Sequence, residues 1–104
     1  MAEVRWSLTA SEDLQQLEDF IARDSALHAV NFIDRIVESA EKLKESPQVG
    51  RVVPEFGQPE LRELIFRGYR IVYLFKNDAV TVLRVVHGAR DLAELVRKEP
   101  WDIS

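Results

Sequence analysis

Arginine and histidine are the residues of this chain most suited to chemistry. Six cations, Arg62, Arg67, Arg70, Lys76, Arg84 and Arg90, crowd residues 62–90 against only Glu63 and Asp78. A guanidinium offers a planar fork of donors that matches two phosphate or carboxylate oxygens at once. An anionic ligand, or the acidic surface of a partner, is therefore expected here. The competing reading is internal pairing: residues 1–50 hold 5 Lys/Arg against 10 Asp/Glu, whereas residues 51–104 hold 9 against 8. His87 closes the same stretch. An arginine beside a histidine can bind a phosphate and move a proton, the two tasks that RNA cleavage through the 2′-hydroxyl requires. A hydrogen-bonded structural role is the alternative for His87, and His28 reads as structural outright.

Other chemistries are excluded by residue type. Without cysteine there is no disulfide framework, thiol nucleophile or Cys-based zinc site. Neither histidine has a local His or Cys companion at metal-ligand spacing, so no metal is expected. The 4 glycines are scattered through residues 50–88 and form no phosphate loop or nucleophile elbow. No cofactor is expected. A net charge of −4 argues against unspecific affinity for nucleic acid, which comes mainly from neutralising phosphates. No apolar run approaches the roughly 20 residues of a membrane-spanning helix, and the N-terminus lacks a signal-peptide pattern. A cytoplasmic protein without a membrane partner is expected. With 104 residues, 46% of them apolar and 31% charged, one domain over 1–104 is expected.

The elements that must position the arginines follow from periodicity. Val4 to Leu8 alternates, predicting a strand with Val4, Trp6 and Leu8 on one face. Thr9 and Glu12 have the spacing of a capping box. They predict a helix to about Asp24 with Leu14, Leu17, Phe20 and Ile21 inward and Asp13, Gln16 and Asp19 solvated. Ser25 caps a second helix, whose positions Ala26, Ala29, Val30, Ile33, Ile36, Val37, Ala40 and Leu43 keep the helical period to about Glu45. The short link makes the two an antiparallel hairpin. Pro47, Gly50, Pro54, Gly57 and Pro59 predict an irregular loop over 47–60. Leu61–Phe66, Tyr69–Phe75 and Ala79–Val86 are β-branched and aromatic, predicting a three-stranded meander with a tight turn at Asn77-Asp78. Asp91 to Lys98 forms a last short helix, ended by Pro100. The fold class is α+β in the order β-α-α-β-β-β.

If the turn loop is Asn77-Asp78 alone, Lys76 pairs with Ala79 and Arg70 lies opposite Val85. Arg70 and His87 then share one face, while Arg84 points to the other with Tyr69, Ile71 and Tyr73. A shift by one residue reverses these relations. Both faces carry apolar side chains, so the pattern leaves open which one meets the helices.

Four segments in order carry a resemblance: Pro47-Gln48-Val49-Gly50-Arg51, Leu61-Arg62-Glu63-Leu64, Tyr69-Arg70-Ile71-Val72-Tyr73 and Val85-Val86-His87-Gly88-Ala89-Arg90-Asp91-Leu92. With Ala10, Asp13 and Leu14 they resemble the successive signatures of ParE/RelE superfamily toxins from type II toxin–antitoxin (plasmid stabilisation) systems, over roughly residues 3–97. The resemblance implies a helix hairpin packed on a twisted antiparallel sheet, growth inhibition, and a cognate antitoxin in a hetero-oligomer. It implies either of two targets. ParE-type toxins inhibit DNA gyrase without a hydrolytic constellation, and their late strand and tail are similar to His87 through Leu92 followed by Leu95. Arg62, Arg67, Arg70, Arg84 and Arg90 are then candidates for binding or folding. RelE-type toxins cleave mRNA on the ribosome as endoribonucleases, which makes Arg70 and His87 the catalytic candidates. Against the second stand the negative net charge and the lack of any tyrosine after Tyr73, because the indole of Trp101 only donates. A third outcome is an inactive relic that only binds its antitoxin.

Overall fold

The computed structural model describes residues 1–101, so the last residues of the expected domain, 102–104, lie outside the described part. Strand β1 (Glu3–Trp6) leads into the hairpin of α1 (Leu8–Ala22) and α2 (Ala26–Glu41), which a 3₁₀ turn at Lys42–Lys44 completes. Strands β2 (Arg51–Val52), β3 (Leu61–Phe66), β4 (Tyr69–Lys76) and β5 (Ala79–His87) follow, then α3 (Leu92–Lys98). They form one five-stranded sheet in the order β1-β5-β4-β3-β2. The expected α+β order holds, with two additions. β1 joins the sheet parallel to β5, because the helix hairpin returns the chain across the sheet. The 47–60 loop contributes β2, whose Arg51 and Val52 pair with Glu63 and Arg62.

The first helix begins earlier than its capping pattern predicts. Ser7, not Thr9, is the cap: its Oγ accepts from the Ala10 N–H at 3.0 Å and donates to the Leu83 carbonyl at 3.0 Å. A hydroxyl already docked on β5 serves the helix as well, so Leu8 is helical and 77% exposed instead of facing inward. Phe20 also departs from the predicted stripe and is 62% exposed. Ser25 caps α2 as expected, accepting from the His28 N–H at 3.1 Å.

Two tight turns set the meander. Asn77 and Asp78 have φ of 53° and 60°, and Arg67 and Gly68 have 47° and 85°, the left-handed pairs that match the twist of two-residue hairpins. Lys76 pairs with Ala79 as expected, but a bulge leaves Leu83 without a partner, so Val72 faces Arg84 and Arg70 faces Val86. That inserted residue reverses the predicted faces. His87 pairs with Tyr69 and shares its face, while Arg70, Val72, Arg84 and Val86 share the other.

Both faces are covered. Under the hairpin, Ala10, Ile36 and Ala40 pack on Ile71, Val82 and Val85, and the patch continues through Leu43, Tyr73 and Val80. On the opposite face Leu92 and Leu95 of α3 close a cluster of Val53, Leu61, Val72, Leu83 and Val86. Gly50 is required by close approach: a Cβ there would lie 2.6 Å from the Tyr73 hydroxyl and 2.7 Å from the Glu63 carbonyl. The same hydroxyl accepts from the Gly50 N–H and donates to the Pro47 carbonyl, at 3.0 and 2.8 Å.

Candidate functional site

Arg70 sits on β4 with its side chain 6% exposed, and its donors are almost all spent. Nη1 and Nη2 hold the Glu55 carboxylate two-handed at 2.7 Å each, and Nε donates to Glu63 Oε1 at 2.6 Å. Nη1 also reaches the Arg90 carbonyl at 3.3 Å. The Glu63 side chain is fully buried and takes a second cation through the Arg51 Nε at 2.6 Å. Hydrogen bonding from Arg70 holds the Glu55 carboxyl down at about 2, and the same pairing raises Arg70 further above the arginine range. These are short, charge-assisted bonds of the strong kind.

Arg84 is also enclosed. Its Nε and Nη2 grip Asp13 at 2.9 and 3.0 Å, and that hydrogen bonding, against the opposing effect of burial, raises its pKa. Asp13 Oδ2 accepts in addition from the Val85 N–H at 2.9 Å. β1 runs alongside β5 only from Ala79 to Val82. Asp13 and Ser7 thus cap edge groups that a longer β1 would have paired. This corrects the expectation of a solvated Asp13.

The remaining candidates divide by exposure. Arg62 is half-buried and donates to the Pro59 and Gly50 carbonyls at 2.9 and 3.0 Å, tying the 47–60 loop to β3. Arg67 and Arg90 are exposed, and among the described residues neither has an ion pair. Arg67 lies over the Phe66 ring at 5.4 Å, a cation–π contact. The Gly88 N–H donates to the Gly68 carbonyl at 2.7 Å, which joins the two segments at one end of the sheet.

His87 is at that end, but not beside Arg70. Its ring meets Tyr69 edge-on at 5.6 Å, continuing a string through Phe32 to His28 on the hairpin side. Its Nδ1 accepts from the Ala89 N–H at 3.2 Å. The expected phosphate-binding and proton-moving pair is therefore separated by the sheet. Among the described residues no group of acidic, histidine or cysteine side chains can hold a metal ion, and no helix is long and apolar enough to cross a membrane.

Glu55, Glu63 and Asp13 complete the arginine sites and are absent from the sequence-based candidates. For Glu63 a signal exists: it is two residues from Leu61, on the inward side of an apolar strand, where a carboxylate demands a cation. Glu55 gives no such signal, since only the folded loop brings it to Arg70.

The family model for the ParE toxin of the type II toxin–antitoxin system parDE matches residues 4–92. Toxin RelE2 of Caulobacter vibrioides is 34% identical over 91 residues, covering 86% of this chain and 99% of its own length. A chain of the chromosomal ParDE system from P. aeruginosa has the same fold, with a TM-score of 0.71 at 21% identity over 84% of this chain and 96% of that one. The RelBE2 toxin–antitoxin complex of Mycobacterium tuberculosis gives 0.59 at 25% identity over 83% and 96%. Fold and sequence together define a toxin of a type II toxin–antitoxin module. Within that class, the chain belongs to the ParE toxin family.

Proposed function

We propose that this toxin is a ParE-like inhibitor of DNA gyrase that acts by binding, without hydrolysis, and that a cognate antitoxin neutralises it. The observation that carries the reading is the fate of the arginines. Arg70 spends nearly all its donors on Glu55 and Glu63, Arg84 commits Nε and Nη2 to Asp13 and keeps Nη1 buried, and His87 lies across the sheet from Arg70. Cleavage through a 2′-hydroxyl needs an anion-binding group and a proton acceptor within reach of one phosphate. Arg67 and Arg90 instead offer exposed charge at one sheet end, a feature suited to contact with an acidic surface. Arg62, Arg70 and Arg84 then position the elements that carry them.

The antitoxin is supported by relatives solved with theirs, the RelBE2 complex of M. tuberculosis and the intact RelBE complex of E. coli. One observation favours a second reading, ribosome-dependent mRNA cleavage: the 34% identical relative is named Toxin RelE2. A paired assay on the purified toxin separates the readings, with gyrase supercoiling in one tube and mRNA on translating ribosomes in the other. Loss of supercoiling with intact mRNA is expected. Codon-positioned cleavage with normal supercoiling would overturn the proposal and return Arg70 and His87 to catalysis. If both assays are silent while antitoxin binding persists, the chain is a relic.

A further inference from the structure

Helix α3 has seven residues, fewer than a helix needs to persist by itself in water. Its stability must come from what it touches. Leu92 and Leu95 bury into the cluster of Val53, Leu61, Val72, Leu83 and Val86, and its two ends are both held by the loop between β2 and β3. At the start, the Leu92 N–H donates to Glu55 Oε2 at 3.4 Å, and the Arg90 carbonyl accepts from the Arg70 guanidinium that grips Glu55. Past the end, Trp101 meets Phe56 edge-on at 5.9 Å. The loop depends on the helix in turn. Its backbone bonds, from the Phe56 and Gly57 N–H groups to the Val53 carbonyl and from the Leu61 N–H to the Gln58 carbonyl, form only turns, Arg62 holds its Pro59 end to β3, and its side chains Glu55 and Phe56 reach outward to Arg70 and Trp101.

We infer that residues 54–59 and α3 form one strap that opens and closes cooperatively over the sheet face, with the Glu55–Arg70 pair as its latch. Away from the Pro59 end that Arg62 holds, neither half retains its position without the other. When the strap is closed, Arg70 and the apolar side chains Val72, Leu83 and Val86 are covered; opening presents a guanidinium fork beside an apolar patch. The inference is independent of which target the toxin acts on.

Amide hydrogen exchange on the full chain tests it, because exchange through local opening reports the stability of each segment separately. The reporters are Phe56 and Gly57 in the loop, Leu95 in the helix and Glu99 at its C-cap, with β4 and β5 amides as reference. Glu55→Gln keeps the shape of the latch and removes its charge. It should accelerate all four reporters together by about tenfold or more, because the amide keeps one acceptor oxygen and turns an NH2 donor toward the second guanidinium N–H, and leave the sheet unchanged. Phe56→Ala, which loosens the other end, should release the same set. Acceleration of loop without helix, different sets in the two variants, a uniform rise across the sheet, or no change in either variant would each overturn the strap.

Discussion

Under the helix hairpin the sheet presents Ile71, Val82 and Val85 to Ala10, Ile36 and Ala40, whereas on the opposite face Glu63 and Arg70 are buried beside Val53, Leu61 and Val72. Both faces exclude water, but they answer differently to perturbation. Apolar packing is non-directional and loses free energy in proportion to the area uncovered. A buried ion pair depends on its partner, because removing one charge leaves the other desolvated and unmatched. The hairpin face should therefore yield gradually, and the α3 face should fail at particular residues.

The largest effect is expected from Glu63→Ala. Glu63 is 1% exposed and receives both Arg70 and Arg51, and its loss should destabilise by about 3–5 kcal/mol. Chemical denaturation measures this as a lower midpoint with an unchanged slope. A loss under about 1 kcal/mol would mean that water or Glu55 takes over Arg70, and the contrast between the faces would collapse.

Acid should discriminate between the faces next. The folded Glu55 carboxyl titrates at about 2 against an ordinary 4.5. A lowered folded value contributes stability that is complete above the ordinary pKa and is lost as pH falls through the folded one. The contribution should fade between pH 4.5 and about 2. Glu55→Gln should flatten the fall in denaturation midpoint across this window, and parallel curves for the variant and wild type would remove Glu55 from the account.

Beneath the hairpin a directional contact is made by Tyr73, whose hydroxyl links the Gly50 N–H to the Pro47 carbonyl. Tyr73→Phe keeps the packed ring and leaves both backbone groups without that partner, a loss of about 1–2 kcal/mol by equilibrium denaturation. A loss as large as that of Glu63→Ala would show that the hairpin face also hinges on a single polar group.

How much of this was legible in the sequence follows the same division. The limits of β3, β4 and β5 to within a residue, the Asn77-Asp78 turn, the Ser25 cap and the helix hairpin rest on local patterns, and these the folded chain reproduces. The face assignment of Arg70 and His87 rested on counting residues from a turn, and one unpaired residue, Leu83, inverted it. No local signal marks that bulge. It lies where β1 stops pairing with β5, at Trp6 and Val82, and where Ser7 and Asp13 take over the edge. The arginine cluster was plain, but whether it was free or neutralised depended on Asp13, distant in sequence from Arg84, and on Glu55 in an irregular loop. Tertiary pairing of this kind is invisible to periodicity.

The smallest effect on stability is expected where the effect on function should be largest. Arg67 and Arg90 are exposed and free of ion pairs among the described residues. Truncating either to alanine should change stability by no more than about 0.5 kcal/mol. If the exposed arginines bind the target and the buried ones hold the fold, Arg67→Ala with Arg90→Ala should weaken gyrase inhibition while the denaturation midpoint stays put. Arg84→Ala should lower the midpoint first, and inhibition only in proportion to the folded fraction. The opposite result, full inhibition by the double variant and a specific defect in still-folded Arg84→Ala, would place the working surface at the β5 edge beside Asp13 and reverse the roles of buried and exposed arginines.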